Sequence, residues 1–344
     1  MKKIITLLLA LAMVLVCAGC GGEKKEELKE DPEPTPQKEE QYVANPLTGE
    51  PLEDPASVNN RPFGIMLNNI HVAMPQHGVS DADMIFEYNA EGGITRMVGF
   101  FQEVGSVGTI GSVRSARPYF VETVLGMDAI YVHAGGSTKA NSMLQQYGVD
   151  DITEGDFDCF WRDEERAKTM AFEHTLMTSG SRLKDYTADN GWRLKHEDSY
   201  QYPVTFAEDG TPAGGTNATD ISVEFSSYKT GTFTYDPASK LYMIGQYDGP
   251  YIDGNTNEQV GITNLLILRA STSLIPDTPC LDIDISGSGD GIYICGGKAI
   301  DIQWHKEDVY DPFSYTTTDG SSFPFGIGKT YVCVVEPSAP VSVS

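Results

Sequence analysis

Positive charge is what this sequence has least of: 24 Lys and Arg stand against 49 Asp and Glu in 344 residues, a formal charge of −25. Such a body repels a phosphate backbone, and no Lys/Arg run beyond the first 30 residues offsets this, so no nucleic acid is expected as a partner. Long hydrophobic runs are equally scarce. Apart from Ile4 to Val16, no segment approaches the roughly 18 uncharged apolar residues that a membrane span needs. Cys159, Cys280, Cys295 and Cys333 form no CxxC or Cys/His pairing with metal-ligand spacing, and Ser112, Ser115 and Ser137 sit in no G-x-S-x-G elbow, so neither a zinc site nor a hydrolase serine is signalled. No metal and no cofactor are expected. With 40% hydrophobic residues the chain can still pack a large core, as one large or two ordinary domains.

What is present at the N-terminus is an address. Lys2 and Lys3 precede the apolar stretch Ile4 to Val16, which is too short to cross a bilayer of about 30 Å, and Ala18-Gly19-Cys20 follows. Small-small-Cys resembles a bacterial lipobox, although Cys17 stands where Leu, Val or Ile is commonest. Residues 1–20 therefore read as a lipoprotein signal peptide, with Cys20 the lipidated first residue of the mature chain. Residues 21–45 alternate Glu and Lys and then carry Pro32, Pro34 and Pro36; they offer little to bury and read as a disordered tether. The remainder holds 18 basic and 41 acidic residues, so the membrane should retain it through the anchor and not through anionic lipid. Cys159, Cys280, Cys295 and Cys333 remain. Export permits a disulfide, Cys280 with Cys295 first among the pairings, and strand-like surroundings equally suit small buried thiols.

Two halves of different character follow. In residues 46–193, FGIMLNN, MIFEYNA, RMVGFFQEV and DAIYVHAGG read as strands; a helix starts at Pro118 and closes at Gly126, and another runs from Ser137 to Tyr147 before Gly148. This half is expected to be α/β. In residues 194–337 helical signals stop, and nine short β-branched or aromatic runs between YPVTF and TYVCVVE indicate a mainly antiparallel β sandwich or barrel. The whole is an α+β two-domain chain, with residues 338–344 expected to be a disordered tail.

Arginine is rare enough to be informative. There are nine, and Arg114 and Arg117 stand three apart in GSVRSARP where a Pro-initiated helix begins; guanidinium forks beside helix N-terminal amides suit phosphate or carboxylate. Their alternative role is in ion pairs with Glu87, Glu91 or Glu103. In EYNAEGGITR, strand spacing puts Glu87, Asn89 and Glu91 on one side ahead of Gly-Gly and Arg96. Paired carboxylates serve acid/base chemistry when a cleft raises one pKa, and otherwise simply answer the arginines. His133-Ala-Gly-Gly-Ser137 closes a strand with a glycine loop, where α/β folds commonly build sites. His174 is a second imidazole, and Trp161-Arg162-Asp163 adds an aromatic wall and another guanidinium. Asp253, Asn255 and Asn257 have the one-three-five spacing of a calcium loop but lack its Gly and its Glu, which leaves a polar turn. Gly287 to Gly291 likewise reads as a turn.

Taken in order, NPLTGEP, RPFGIMLNN, MPQHGVSDADMIFEY, EGGITR, GSVRSARPYF and HAGGS, then FTYD, GGKAIDIQW and GIGKTYV, resemble the YerB-like lipoprotein family of Gram-positive bacteria. The similarity covers nearly everything after the tether. It implies a membrane-anchored protein of the cell envelope with an N- and a C-terminal domain of unknown function, and it brings no catalytic residues. The family pattern has Asn after the residue matching His174; here Thr175 stands there, which weakens a site role for that histidine.

Two functions follow from these residues. One is a binding or accessory lipoprotein on the extracytoplasmic face of the membrane, recognising an anionic group of a cell-wall polymer or an envelope protein through Arg96, Arg114, Arg117 and Arg162. The other is a metal-independent hydrolase of a wall polymer, using Glu87 or Glu91 with His133. A third, sugar binding through Trp304, Tyr310 and Tyr315, rests on aromatic content alone.

Overall fold

The computed structural model describes residues 42–156 and 158–344; the signal peptide, Cys17, Cys20 and tether residues 21–41 lie outside the described residues. The tether ends earlier than expected. Asn45 is buried, bonds Glu50 through its backbone and Asp83 through Nδ2, so residues 42–45 belong to the folded unit that runs from Tyr42 to Ser344.

The first half contributes strands β1 (Phe63–Asn68), β2 (Met84–Asn89), β3 (Thr95–Phe101) and β4 (Thr109–Gly111), helix α1 (Pro118–Gly126), β5 (Ile130–His133), α2 (Thr138–Tyr147), β6 (Asp151–Thr153), β7 (Phe160–Arg162), β8 (Leu176–Ser179) and α3 (Gly180–Asp189). The second half contributes β9 (Asp220–Glu224), β10 (Thr230–Asp236), β11 (Leu241–Gln246), β12 (Asn264–Arg269), β13 (Gly287–Cys295), β14 (Lys298–Lys306), β15 (Thr330–Val335) and β16 (Val341–Val343), besides shorter pairings. The fold is α+β as expected.

The halves are knitted together by one sheet. Among the described residues it has eleven strands, and its long members run in the order β14, β13, β12, β15, β2, β3, β1, β5, β6. β15 enters parallel to β12 on one side and parallel to β2 on the other, with Met84 opposite Thr330 and Tyr88 opposite Val334. Residues alternate strictly between the faces. Ile85, Met97, Leu265, Tyr331 and Cys333 face one apolar core; Phe86, Tyr88, Val98, Leu266 and Val332 face the other. Burial on both sides is why MIFEY and TYVCVV read as continuous apolar runs.

Helices α1 and α2 cover one face. Pro118 supplies the first turn of α1, and Ser137 caps α2 by accepting from Ala140 N–H at 3.3 Å while Gly148 ends it at φ +60°. The other face is covered by α3 and a second sheet in the order β16, β9, β10, β11, so the β half divides its strands between two sheets.

Two local expectations are corrected and one open alternative is decided. The C-terminal residues are not disordered: Val341 and Val343 pair with Val223 and Ile221, because their alternating side chains complete the edge of the second sheet. Gly287 to Gly291 is the start of β13 and not a turn, its glycines admitting the Trp304 ring packed against Gly289. Cys159, Cys280, Cys295 and Cys333 are all free thiols, which removes the Cys280–Cys295 bridge.

Candidate functional site

Arg96 lies on β3, and since its neighbours Thr95 and Met97 face the second sheet, it points to the helix side. Arg117 is the extended residue just before α1, and Arg114 precedes it in the segment that crosses the ends of β1 and β5. The His133–Ser137 loop backs this segment: Ala134 N–H donates to Arg114 O, Ala116 N–H to Gly135 O, and Ser137 N–H to Ala116 O. A Cβ on Gly136 would lie 2.3 Å from Asn141 Oδ1 in the first turn of α2, so the loop enters that helix through a glycine. Helices α1 and α2 therefore start side by side.

Two of the arginines share one carboxylate. Glu91, in the short 3-10 turn Glu91–Gly93 after β2, accepts from Arg117 Nε and lies 3.2 Å from Arg96 Nη2. Burial alone would raise its carboxyl, but the Arg117 bond and the charges of Arg96 and Arg117 hold it below the usual range. Arg96 is brought down to about 10 by its burial and by the neighbouring Arg117 charge, which Glu91 only partly offsets. Arg114 is lowered for the same reasons, with Glu173 at the rim opposing. Three buried or half-buried cations thus repel one another. Arg96 Nε, Arg114 Nε and the hydroxyl of fully buried Tyr131, whose nearest charges include Arg117 and Arg96, have no hydrogen-bond partner.

Arg162 joins the rim of this group by a structural device. Arg162, Arg114 and Arg166 donate to the carbonyls of Phe172, Glu173 and His174 in turn, so three guanidiniums cap one short helical turn. Arg162 also stacks over Phe172 and pairs with Glu154 at 3.3 Å. His174 is buried beneath Arg114, takes Asn68 Nδ2 on Nδ1 at 2.9 Å, and is pushed below its ordinary pKa by burial and by the Arg114 charge.

Glu87 and His133 do not join. Glu87 faces the second sheet, where it accepts from Asn69 Nδ2 (2.6 Å), Thr95 Oγ1 (2.5 Å) and Tyr331 OH (2.7 Å) and meets Lys229 Nζ at 3.2 Å. The main sheet separates it from Arg96 and Arg117. Both His133 ring nitrogens are occupied, by Gly135 O at 2.8 Å and by Asp151 at 3.1 Å. Glu87 and Glu91 therefore cannot serve one reacting atom as a carboxylate pair. Trp304 is buried and Tyr315 packs in the core against Phe313, so the aromatic trio with Tyr310 forms no platform. Asp253 accepts Ser80 N–H and Asn255 N–H, and among the described residues no metal-ligand cluster occurs. Tyr131 is the group that sequence reasoning missed: nothing in DAIYVHAGG distinguishes a buried hydroxyl aimed at charge from an ordinary core tyrosine.

A mixed sheet shared by an α/β half and a β half, with an arginine cluster at the start of the first helix, defines a two-domain α+β class. The chain belongs to the family described as protein of unknown function DUF3048, matching its N-terminal domain over residues 47–193 and its C-terminal domain over residues 221–332. "Putative lipoprotein YerB" of Bacillus subtilis (strain 168) is 31% identical over 305 residues, 87% of this chain and 88% of that protein. The crystal structure of the YerB protein from Bacillus subtilis superposes with a TM-score of 0.76 at 29% identity, covering 87% of this chain and 99% of that one.

Proposed function

We propose that the protein is a lipoprotein held by Cys20 on the extracytoplasmic face of the membrane, and that it recognises an anionic group, phosphate or carboxylate, of a cell-wall polymer or envelope protein. The name of the Bacillus subtilis relative and the small-small-Cys ending of the signal support the anchor. One observation carries the binding reading: Arg96 and Arg117 share the single carboxylate of Glu91 while Arg114 donates to the Glu173 carbonyl, leaving two guanidinium N–H groups and the Tyr131 hydroxyl without acceptors. An unpaired buried donor costs about 1–3 kcal/mol, and an anion beside the uncapped start of α1 relieves several such costs at once.

The test is a thermal melt of the full chain in inorganic phosphate, then in citrate. A ligand at 100 times its Kd stabilises the folded state by about 2.7 kcal/mol, so the midpoint should climb with phosphate at constant ionic strength. Arg114→Ala, the half-buried member, should abolish that climb and weaken retention on purified wall material while leaving the ligand-free midpoint nearly unchanged. A midpoint indifferent to both anions, with retention unaffected by the substitution, would end this reading.

A further inference from the structure

The outer face of the second sheet is hollowed into a groove of about 800 Å³, within the range of small-molecule sites. Its floor is a row of hydroxyls. Thr230, Thr232 and Thr234 alternate along β10 with their side chains exposed, while Phe233 points the other way into the core. Across from Thr232 the chain has Gly245, where a Cβ would come within 2.5 Å of Thr232 Oγ1, so the floor stays open.

The wall is aromatic. Tyr247 stacks on His71 with centroids 5.0 Å apart and meets Tyr228 at 5.7 Å; Tyr228 is 45% exposed. Tyr247 and Asp248 form the two-residue turn between Gln246 and Gly249, at φ +53° and +60°. Asn-Gly sits there without strain, whereas a bulky side chain at positive φ is costly, and such positions concentrate at ligand sites. What the cost achieves is visible. The ring is set into the groove and its hydroxyl donates to Asn69 O at 2.6 Å.

On the core side of the same sheet, Gln246 is buried and its carboxamide oxygen accepts a hydrogen bond from Lys229 Nζ at 2.5 Å. Glu87 holds that lysine from behind, so this carboxylate orients the amide at one remove. Gln246 Nε2 has Met74 Sδ at 3.7 Å and the buried Tyr251 hydroxyl beside it. Among the described residues no Lys or Arg lines the groove, and Asp248 is its one carboxylate.

We propose that this groove binds a short uncharged oligosaccharide. A pyranose ring offers a C–H face to Tyr228 and Tyr247 and an equator of hydroxyls that both donate and accept, which the threonine row matches. An apolar ligand would strand those hydroxyls. An anionic one would meet Asp248 with no Lys or Arg in the lining to offset it.

The experiment is calorimetric titration of the full chain with chitotetraose, with cellotetraose and, as the charged counterpart, with a hyaluronan tetrasaccharide. Saturable binding of a neutral sugar is expected, weakened roughly tenfold or more by Tyr228→Ala and by Thr232→Val, with melting midpoints unchanged. Phosphate should stabilise both variants as it does the parent, since neither touches the arginine cluster; failure of one site is thereby distinguishable from failure of the other. The inference is overturned if neither neutral sugar binds saturably at millimolar concentration, if both variants bind like the parent, or if the charged sugar is preferred.

Discussion

Lys229 and Glu87, each about 1% exposed and 3.2 Å apart, offer the sharpest test of what holds the two sheets together. Lys229→Met keeps an unbranched stem but removes the charge, and with it the approach of the ammonium to the Phe225 and Tyr247 rings. Glu87 then loses its facing ammonium while keeping the donors of Asn69, Thr95 and Tyr331. Breaking a buried pair costs about 3–5 kcal/mol. The three surviving hydrogen bonds point to the lower end, about 3 kcal/mol. At roughly 2 °C per kcal/mol for a unit of this size, the midpoint should fall by about 6 °C. Glu87→Gln alone strands the ammonium, which keeps only the Gln246 oxygen among its strong acceptors, and should cost about as much. The double variant leaves no uncompensated charge, so its loss should fall short of the sum by at least about 1.5 kcal/mol. Urea denaturation of the four proteins closes the cycle. Additive losses would show that the two charges are independent, and the account of this core would be wrong.

Burial lifts the Asp83 carboxyl to about 6 despite the Gln102 N–H and Asn45 bonds and the Lys329 charge. The folded state then holds that proton more tightly than the unfolded chain, so the favourable contribution is complete below about 4 and is lost as pH rises through about 6. A carbon-13 titration of the side chain should show this midpoint, and one below 4 refutes it. Burial pushes the Cys159 thiol up to about 12 and raises Cys295 and Cys333 as well. In the mature protein a thiol reagent should therefore label half-buried Cys280 first and the other three only on unfolding; rapid labelling of Cys333 would contradict its place in the sheet. Deleting residues 340–344 removes the β16 ladder and the bonds from Thr219 and Asp220 N–H to Ser344 O, and should cost about 2–4 kcal/mol by denaturant titration. An unchanged midpoint would mean that this strand is dispensable.

Local signals were legible wherever one residue type does one job. Pro118 and Gly126 bound α1, and Ser137 and Gly148 bound α2, because caps act within a turn of the chain. The strand runs were likewise visible. Their partners were not: nothing in MIFEYNA tells that its edge is filled by TYVCVV, since pairing across such a separation is decided by the assembled faces. The arginine group was half legible. Scarcity singled out Arg96, Arg114 and Arg117, and Glu91 was named beside them. The twofold period that grouped Glu87 with Glu91 failed at Ala90, where β2 has ended and the chain turns. Lys229, Gln246 and Tyr247 carried no signal, because each matters only through neighbours from other elements.

The insertion of residues 330–335 between 264–269 and 84–89 has a consequence for the life of the molecule. A chain emerging head first would present 84–89 with its amide edge bare until residues 330–335 have arrived. An unfilled edge of that kind invites pairing with another copy, and contacts between distant parts of a chain form slowly. The first domain produced alone should therefore be sticky and short-lived, whereas the finished polypeptide seals itself. Closure of the sheet works as a check on synthesis, passed only once residues 330–335 have been made.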